Sequence, residues 1–175
     1  MKDKIKPTAV LTLICVIAAL LLVFAHELTK DSIAEQQKRK FGDSVANLFG
    51  DCDYELLDNN FGSSEIEKIA VTSDGKAAFQ ICVDGYSKGG INVLIGIDEN
   101  GSVSGIDFIS LGETPGLGSK VRDEASFREQ FIGASDTDYS FDAISGATYS
   151  SKGMKHAVDT VLEVYNENKE AILNG

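Results

Sequence analysis

Apolar and polar positions divide this chain into one long apolar run near the N-terminus and a series of short alternating segments after it. Residues 8–25 form 18 consecutive uncharged positions, which is close to the shortest helix that crosses a bilayer. Residues 27–40 are polar but contain neither Gly nor Pro, so we expect this helix to continue as a stalk. Gly42 and Asp43 predict a break, and residues 44–49 then predict a short second helix.

Beyond residue 50 the pattern changes to short apolar segments bounded by turn-forming residues, which is typical of β-strands. The sequence places these segments at residues 54–57, 69–72, 77–83, 91–97 and 103–111. Asn100 and Gly101 form the strongest hairpin signal, because both residues adopt positive φ at little cost. Consecutive strands joined by such turns predict an antiparallel meander.

Two further segments predict helices. Residues 122–131 contain Phe127 and Phe131, four positions apart, and the chain after Ser151 repeats apolar residues every three or four positions up to Tyr165. Such spacing places one apolar face of a helix against a core. The predicted fold class is therefore α+β: one N-terminal transmembrane helix, followed by a small domain with a mostly antiparallel sheet and packed helices.

A cleaved signal peptide is the alternative explanation of the apolar run, because it begins with the same positive charges. The apolar core of a signal peptide is usually about 7–15 residues long and ends in a small-residue cleavage site. Here the run is longer and ends in Phe24-Ala25-His26, so we expect a retained anchor. Basic residues flank both ends of the run, and the closer spacing of those before it slightly favours a cytoplasmic N-terminus.

Charge is distributed unevenly along the chain. The first 50 residues carry seven basic and five acidic side chains, whereas the remainder carries nine basic and 22 acidic ones. An acidic domain repels the phosphate backbone of nucleic acids, so we expect no nucleic-acid partner. Cys52 and Cys82 are the cysteines outside the apolar run, and the sequence leaves open whether they pair.

Most signatures of enzymes are missing from the sequence. It contains no P-loop, dinucleotide-binding, serine-hydrolase or zinc-protease motif. His26 and His156 lie far apart in the chain, and we interpret both as ordinary surface or packing residues rather than metal ligands. No metal site is therefore expected.

The segment Asp142-Ala-Ile-Ser-Gly-Ala-Thr148 lies directly before the last predicted helix. The first N–H groups of a helix lack internal partners and the helix dipole is positive there, so a phosphate is stabilised at this position. The alternative is ordinary helix capping by the hydroxyl of Thr148, Ser150 or Ser151. The residue types by themselves leave both interpretations open.

A second glycine-rich segment, Gly112-Glu-Thr-Pro-Gly-Leu-Gly118, follows the last predicted strand. Its Pro-Gly pair is typical of a type II turn, in which the glycine adopts positive φ. The flanking glycines allow the backbone to approach a planar group closely. The alternative is a simple connection between a strand and a helix.

Together, these two segments resemble the FMN-binding domain found in the G subunit of the Rnf complex and in the C subunit of the sodium-translocating NADH:quinone reductase. The resemblance covers residues 83–164, with a flavin-contacting loop at 113–118 and a flavinylation motif at 142–148. The short chain favours the Rnf subunit. Leu111 departs from the family, which often has His there, and this removes any polar contact expected from that position.

The resemblance implies a covalent FMN cofactor, esterified to the hydroxyl of Thr148 by a separate flavin transferase that uses FAD. Ser150, and less favourably Ser151, is the alternative acceptor, because its hydroxyl also lies near the start of the helix. The other implied cofactor-binding residues come from the same two segments: Asp142, Ser145, Gly146, Ala147, Glu113, Thr114, Pro115, Gly116 and Leu117. We expect residues 113–117 to pack beside the flavin ring.

The resemblance also implies an electron-transfer flavoprotein subunit of a membrane complex that exchanges electrons between ferredoxin and NAD and couples this exchange to ion transport. Such a subunit is not catalytic alone and requires the other subunits of the complex and a lipid bilayer. The expected organisation is a cytoplasmic tail (1–7), a transmembrane anchor (8–28), a helical stalk or linker (29–50) and an FMN-binding domain (51–175). The domain is expected on the non-cytoplasmic side of the cell (inner) membrane.

Two other functions are compatible with these observations. The first is a stand-alone, membrane-anchored flavinylated electron carrier, which differs only in its partners. The second is a non-redox binding domain of the same fold, which would carry no flavin.

Overall fold

A computed structural model describes residues 2–58 and 61–173, with side chains from residue 10 onwards. The elements are, in chain order, α1 (Lys2–Phe49), β1 (Tyr54–Leu57), β2 (Ile66–Thr72), β3 (Ala77–Val83), β4 (Ile91–Ile97), β5 (Val103–Leu111), α2 (Lys120–Asp123), α3 (Ala125–Glu129) and α4 (Thr148–Leu173). The chain divides into two compact units, Met1–Lys40 and Phe41–Gly175. The second unit combines a sheet with packed helices, so the predicted α+β class is confirmed.

The first unit is helical. Its apolar side chains between Val10 and Phe24 are exposed. A large exposed apolar surface of this kind is typical of a segment that contacts lipid rather than water. In the part of the chain that the structure describes, one helix is long and apolar enough to cross a membrane. Length and composition thus make α1 the candidate span.

The predicted break at Gly42 and Asp43 is wrong, and so is the separate helix after it. Helix α1 continues through both residues and ends at Phe49, where Gly50 adopts a φ of +79°. A glycine inside a helix costs only about 1 kcal/mol relative to alanine. In the second unit this cost is offset by burial of Phe41 and Val45 on the sheet, at about 1.5–3 kcal/mol each.

The sheet has five strands in the order β1-β2-β3-β4-β5, and every neighbouring pair is antiparallel. The predicted meander is therefore confirmed. The predicted bounds of β1, β3, β4 and β5 agree with the structure, whereas β2 begins three residues earlier than predicted, at Ile66. At the β4–β5 turn, the backbone N–H of Gly101 donates to the carbonyl of Asp98 (3.0 Å), and Gly101 has a φ of +87°.

Both faces of the central strands are buried, which is why they read as nearly continuous apolar runs. Phe79, Ile81 and Val83 lie on the face that α4 covers, together with the apolar stripe of α4 from Met154 to Tyr165. Alternate residues of the same strands, with Ala78 among them, lie on the opposite face in a second, smaller core. The packing of α4 on the sheet positions the start of this helix, where the candidate site lies.

The single helix predicted at residues 122–131 is two short helices. They are separated by Glu124, whose backbone is extended (φ −92°, ψ 106°). Val121 and Phe127 are both buried, although residues six positions apart on one straight helix point roughly 120° apart. Each of the two short helices thus contributes one side chain to the core.

Cys52 and Cys82 are both free thiols. Tyr54, two residues after Cys52, pairs with Thr72 at the end of the sheet where β2 turns into β3. Cys82 lies five residues along β3 from Ala77, or about 17 Å from that end at about 3.3 Å per residue. A disulfide needs Cα atoms within about 7 Å, so the fold keeps these two thiols apart.

Candidate functional site

A cavity of about 260 Å³ opens where the β5–α2 loop, the β3–β4 loop and the start of α4 meet. The residues that line it are Tyr86, Glu113, Thr114, Leu117, Gly118, Gly146, Ala147, Thr148, Tyr149 and Ser150. The two glycine-rich segments identified in the sequence, which are separated by more than 20 residues, therefore form one site.

The β5–α2 loop has the predicted Pro-Gly turn. The backbone N–H of Leu117 donates to the carbonyl of Thr114 (3.2 Å), and Gly116, the third residue of this turn, has a φ of +75°. The hydroxyl of Ser119 accepts a hydrogen bond from the N–H of Gly116 (2.9 Å) and so stabilises the turn. This turn directs Leu117 to the cavity.

A second turn of the same kind precedes α4. The backbone N–H of Ala147 donates to the carbonyl of Ile144 (3.0 Å), and Gly146 between them has a φ of +81°. The hydroxyl of Ser151 accepts a hydrogen bond from the N–H of Ile144 (3.0 Å). Because Ser151 lies in the first turn of α4, this contact fixes the loop to the helix that it precedes.

The carboxylate of Glu113 connects three segments of the site. It is only 6% exposed, and it accepts hydrogen bonds from the backbone N–H groups of Tyr86 (3.1 Å) and Ser87 (2.9 Å). It also accepts a hydrogen bond from the hydroxyl of Ser150. A buried carboxylate requires such donors, and these donors belong to the β3–β4 loop and to α4.

The glycines around this carboxylate leave the space that it occupies. A Cβ atom added to Gly85, Gly90 or Gly118 would lie 2.7, 2.4 or 2.6 Å from an oxygen of Glu113. Real Cβ atoms essentially never make contacts this short, so a larger residue at any of the three would displace the carboxylate. The lack of a side chain at these three glycines therefore makes room for the buried carboxylate of Glu113.

Thr148 is the first residue of α4, and its side chain is exposed at the cavity. The hydroxyls of Ser150 and Ser151 are buried and engaged with Glu113 and Ile144. Neither serine therefore caps the helix in the way that the alternative interpretation of this segment required.

The backbone at the start of α4 offers unpaired donors. Among the residues that the structure describes, none accepts a hydrogen bond from the backbone N–H of Thr148, Tyr149 or Ser150. The first bond of the helix runs from the N–H of Ser151 to the carbonyl of Ala147 (2.9 Å). These three N–H groups and the helix dipole together favour an anion next to Thr148.

The loop before α4 is anchored by aromatic side chains. Phe127, Phe131, Tyr139 and Phe141 form edge-to-face and tilted ring pairs with centroids 5.4–6.0 Å apart. The hydroxyl of Tyr139 donates to a carboxylate oxygen of Asp159 in α4 (2.7 Å). Burial, then this hydrogen bond and the charge of Asp159, raise the pKa of Tyr139 above its ordinary value of 10.0.

Most of the residues predicted for the site lie together around the cavity, but some do not line it. Pro115, Gly116 and Ser145 belong to the two turns and shape them without facing the cavity. The backbone of Asp142 exchanges hydrogen bonds with the side chain of Gln130 (2.7 and 3.3 Å), and Asp142 lies beside a separate shallow depression near α3.

Tyr86 and Tyr149 line the cavity but were not predicted for the site, whereas Gly118 was assigned only to the flavin-contacting loop and Ser150 only as an alternative acceptor, not as a donor to Glu113. Tyr149 and Gly118 adjoin residues that were predicted. Tyr86 lies in a turn cluster 27 residues before Glu113, and the signal that could have identified it is a large aromatic side chain among glycines in a solvent-facing turn.

The chemistry of these groups fits FMN. The free N–H groups at the start of α4 could hold a phosphate, and the cavity lining includes the apolar and aromatic side chains of Tyr86, Leu117 and Tyr149. The cavity is somewhat smaller than the roughly 300–1,000 Å³ of most ligand pockets. A cavity of this size would enclose only part of a flavin nucleotide.

Comparison with known proteins agrees with this geometry. Residues 85–163 match the family model of the FMN-binding domain. This range contains every residue that lines the cavity, so the second unit contains a domain of this class. The chain is similar over most of its length to proteins named as the G subunit of an ion-translocating oxidoreductase complex. It is 29% identical to the one from Aliivibrio fischeri strain MJ11 (96% of this chain, 93% of the relative). It is 30% identical to the one from Vibrio vulnificus strain YJ016 (88% and 85%). The chain belongs to the family of these G subunits, and the resemblance seen in the sequence is confirmed.

Proposed function

We propose that the chain is the electron-transfer flavoprotein subunit of an ion-translocating ferredoxin:NAD oxidoreductase and that it carries FMN esterified to Thr148. The observation that carries the proposal is the position of this threonine. Its side chain is exposed at the first residue of α4, at the mouth of a cavity that both glycine-rich segments line. Membership of the family of G subunits supports the same role.

Burial of the Ser150 and Ser151 hydroxyls favours Thr148 over these two serines as the acceptor. The hydroxyls of Ser150 and Ser151 are buried and hold the loop and the Glu113 carboxylate. A flavin transferase would have to break these contacts to reach either serine. The hydroxyl of Thr148 is accessible without any rearrangement of the described residues.

The attachment reaction is a phosphoryl transfer. The oxygen of the Thr148 hydroxyl forms a bond to the phosphorus on the riboflavin side of FAD, the diphosphate bond breaks, and AMP leaves. The hydroxyl proton passes to a base that the transferase supplies. The phosphodiester formed in this way retains one negative charge, which the unpaired N–H groups at the start of α4 stabilise.

The bound FMN would supply reversible electron transfer, and the protein would supply its position and surroundings. Glu113 holds the β3–β4 loop and the start of α4 in one arrangement. The turn at Gly116 directs Leu117 to the cavity, where its side chain excludes water. The covalent tether removes the need for a deep pocket, which agrees with the small volume of the cavity.

Helix α1 and membership of the family support the proposed location. The segment 8–28 serves as a single membrane anchor after a cytoplasmic tail (1–7), and the segment 29–50 is the stalk or linker, whose last residues from Phe41 pack on the sheet. Residues 51–175 form the FMN-binding domain on the non-cytoplasmic side of the cell (inner) membrane. The multi-span subunits of the complex provide the ion path, because the span 8–25 contains no charged residue. Copurification of these subunits with a tagged form of the chain tests the partners.

Intact mass of the purified chain tests the cofactor and its site. The chain is coexpressed with a flavin transferase, and the Thr148→Val and Ser145→Ala variants are prepared in the same way. We expect one added FMN minus water on the parent chain and on Ser145→Ala, which removes an exposed hydroxyl in the same loop, and none on Thr148→Val. Ser150→Ala should retain the added mass.

Two results would contradict the proposal. A parent chain without added mass, in the presence of an active transferase, would favour the non-redox binding domain. An added mass that survives Thr148→Val would move the acceptor to another hydroxyl, with Ser150 the first to test.

A further inference from the structure

The rim of the cavity exposes an unusual amount of apolar surface. Among the described residues of the second unit, the three most exposed large apolar side chains are Tyr86 (74%), Tyr149 (70%) and Leu117 (52%). All three line the same cavity. Exposed apolar groups scattered singly need no explanation, but a cluster at one opening indicates a binding surface.

The two tyrosines form a pair although the sequence separates them by more than 60 residues. Their ring centroids lie 6.5 Å apart with an interplanar angle of 67°, which is within the range of favourable edge-to-face aromatic pairs. The backbone N–H of Tyr86 donates to the buried carboxylate of Glu113, and Tyr149 belongs to the first turn of α4. Both rings are therefore carried by rigid backbone.

The position of the pair matches the part of the flavin that the cavity cannot enclose. Tyr149 directly follows Thr148, so a group tethered to that hydroxyl starts beside its ring. The cavity is smaller than most ligand pockets, and the ring system of a flavin is planar, aromatic and partly apolar. An aromatic ring at the surface is most stable against other aromatic or apolar groups, which the rim provides.

We propose that Tyr86 and Tyr149 hold the ring of the Thr148-linked FMN against Leu117 at the mouth of the cavity and shield one side of it from water. This inference rests on the proposed function, and it goes further because it assigns ring binding to two residues that lie outside the two glycine-rich segments. The tyrosines position the ring, and they take no part in attaching it.

Fluorescence of the attached flavin tests the proposal in the full-length chain, coexpressed with a flavin transferase. Intact mass first establishes the fraction of each variant that carries FMN. Flavin emission per attached FMN and its quenching by iodide at constant ionic strength are then compared for Tyr86→Leu, Tyr149→Leu and the double variant. An aromatic ring stacked on a flavin quenches its emission, so we expect a several-fold rise in emission and greater access to iodide, largest in the double variant.

Two controls separate ring contact from general disturbance. The variants Tyr86→Phe and Tyr149→Phe retain the ring and should keep emission and iodide access close to those of the parent. Tyr54→Leu removes a partly exposed tyrosine on β1, outside the cavity, and should change neither. If Tyr149→Leu impairs attachment itself, Tyr86→Leu still reports on the contact.

Unchanged emission and iodide access in the leucine variants, with FMN attached according to the mass, would overturn the inference and leave the proposed function intact. The rim would then be free for another occupant, such as a protein partner. Absence of FMN from the parent chain would overturn both, and the mass identifies that case before any fluorescence is measured.

Discussion

The hydroxyl of Ser150, in the first turn of α4, donates a hydrogen bond to the carboxylate of Glu113, 37 residues earlier in the chain. The same carboxylate accepts hydrogen bonds from the backbone N–H groups of Tyr86 and Ser87. One buried side chain thus determines the distance between the β3–β4 loop, the β5–α2 loop and the helix that carries Thr148. A change at this contact should therefore alter the relative positions of all three segments.

Glu113→Gln should destabilise the domain by about 1–3 kcal/mol, which is the usual cost of a buried polar group without a suitable partner. Both carboxylate oxygens face backbone N–H donors, so the amide NH2 of glutamine necessarily faces one of them. Urea unfolding of the full-length chain in detergent measures the change. Glu163→Gln, at an exposed position of α4, is the control and should have little effect. Equal stability of both variants would mean that the carboxylate contributes nothing that an amide cannot.

Two helical glycines should respond oppositely to alanine. Helix propensity alone predicts a gain of about 1 kcal/mol for each substitution. At Gly42 the new Cβ has ordinary contact with the hydroxyl of Tyr54 at 3.5 Å, so we expect this gain. At Gly153 the Cβ would lie 2.4 Å from the backbone carbonyl oxygen of Asp84, which cannot move without the β3–β4 loop.

Gly153→Ala should therefore lose about 1–3 kcal/mol, as is usual for overpacking. The free energies of unfolding of the two variants, measured in the same detergent, provide the comparison. A stabilised Gly153→Ala would show that α4 and the β3–β4 loop are less closely packed than the structure indicates. A destabilised Gly42→Ala would instead question the continuity of α1 through this residue.

Tyr139→Phe should change how stability depends on alkaline pH. Burial, and then the hydrogen bond to Asp159, raise the pKa of Tyr139 above 10.0 in the folded chain. The stability associated with this shift is fully present below the unfolded pKa of about 10. It is lost as the pH rises above that value, because the unfolded tyrosine ionises first. The parent chain should therefore lose more stability than the variant between about pH 9.5 and about pH 11.

At neutral pH the same variant should be less stable by about 1.5 kcal/mol, the lower end for a hydrogen bond to a charged group, since Lys155 still pairs with Asp159 (2.7 Å). Unfolding by urea at several pH values gives both quantities. Parallel pH profiles for the two proteins would contradict the raised pKa. Tyr54→Phe provides a control for loss of a tyrosine hydroxyl elsewhere in the domain.

Much of the fold could be predicted because its signals are local. Strands β3, β4 and β5 are apolar segments that end at turn residues, and their predicted bounds agree with the structure. The start of β2 was missed where its pairing with β3 becomes irregular, between Ile66 and Lys68. Two consecutive charged residues there, Glu67 and Lys68, interrupt the apolar pattern on which the prediction depends.

The errors occurred where contacts distant in sequence outweighed a local preference. A glycine at position 42 predicts a helix break, but packing of Phe41 and Val45 on the sheet keeps the helix intact. The break at Glu124, by contrast, has no glycine or proline to mark it. The extended backbone of Glu124 between Val121 and Phe127 is therefore a feature that the residue types did not indicate.

For the site, the amino-acid sequence was sufficient to identify the two glycine-rich segments, the threonine at the start of the last helix and the family to which they point, because each is encoded in neighbouring residues. The folded chain was needed to establish which hydroxyl is accessible, that Glu113 is buried against Ser150, and that Tyr86 faces Tyr149. Exposure, burial and aromatic pairing depend on which distant segments the sheet and α4 bring within a few ångströms of one another, and residue types alone do not record those distances.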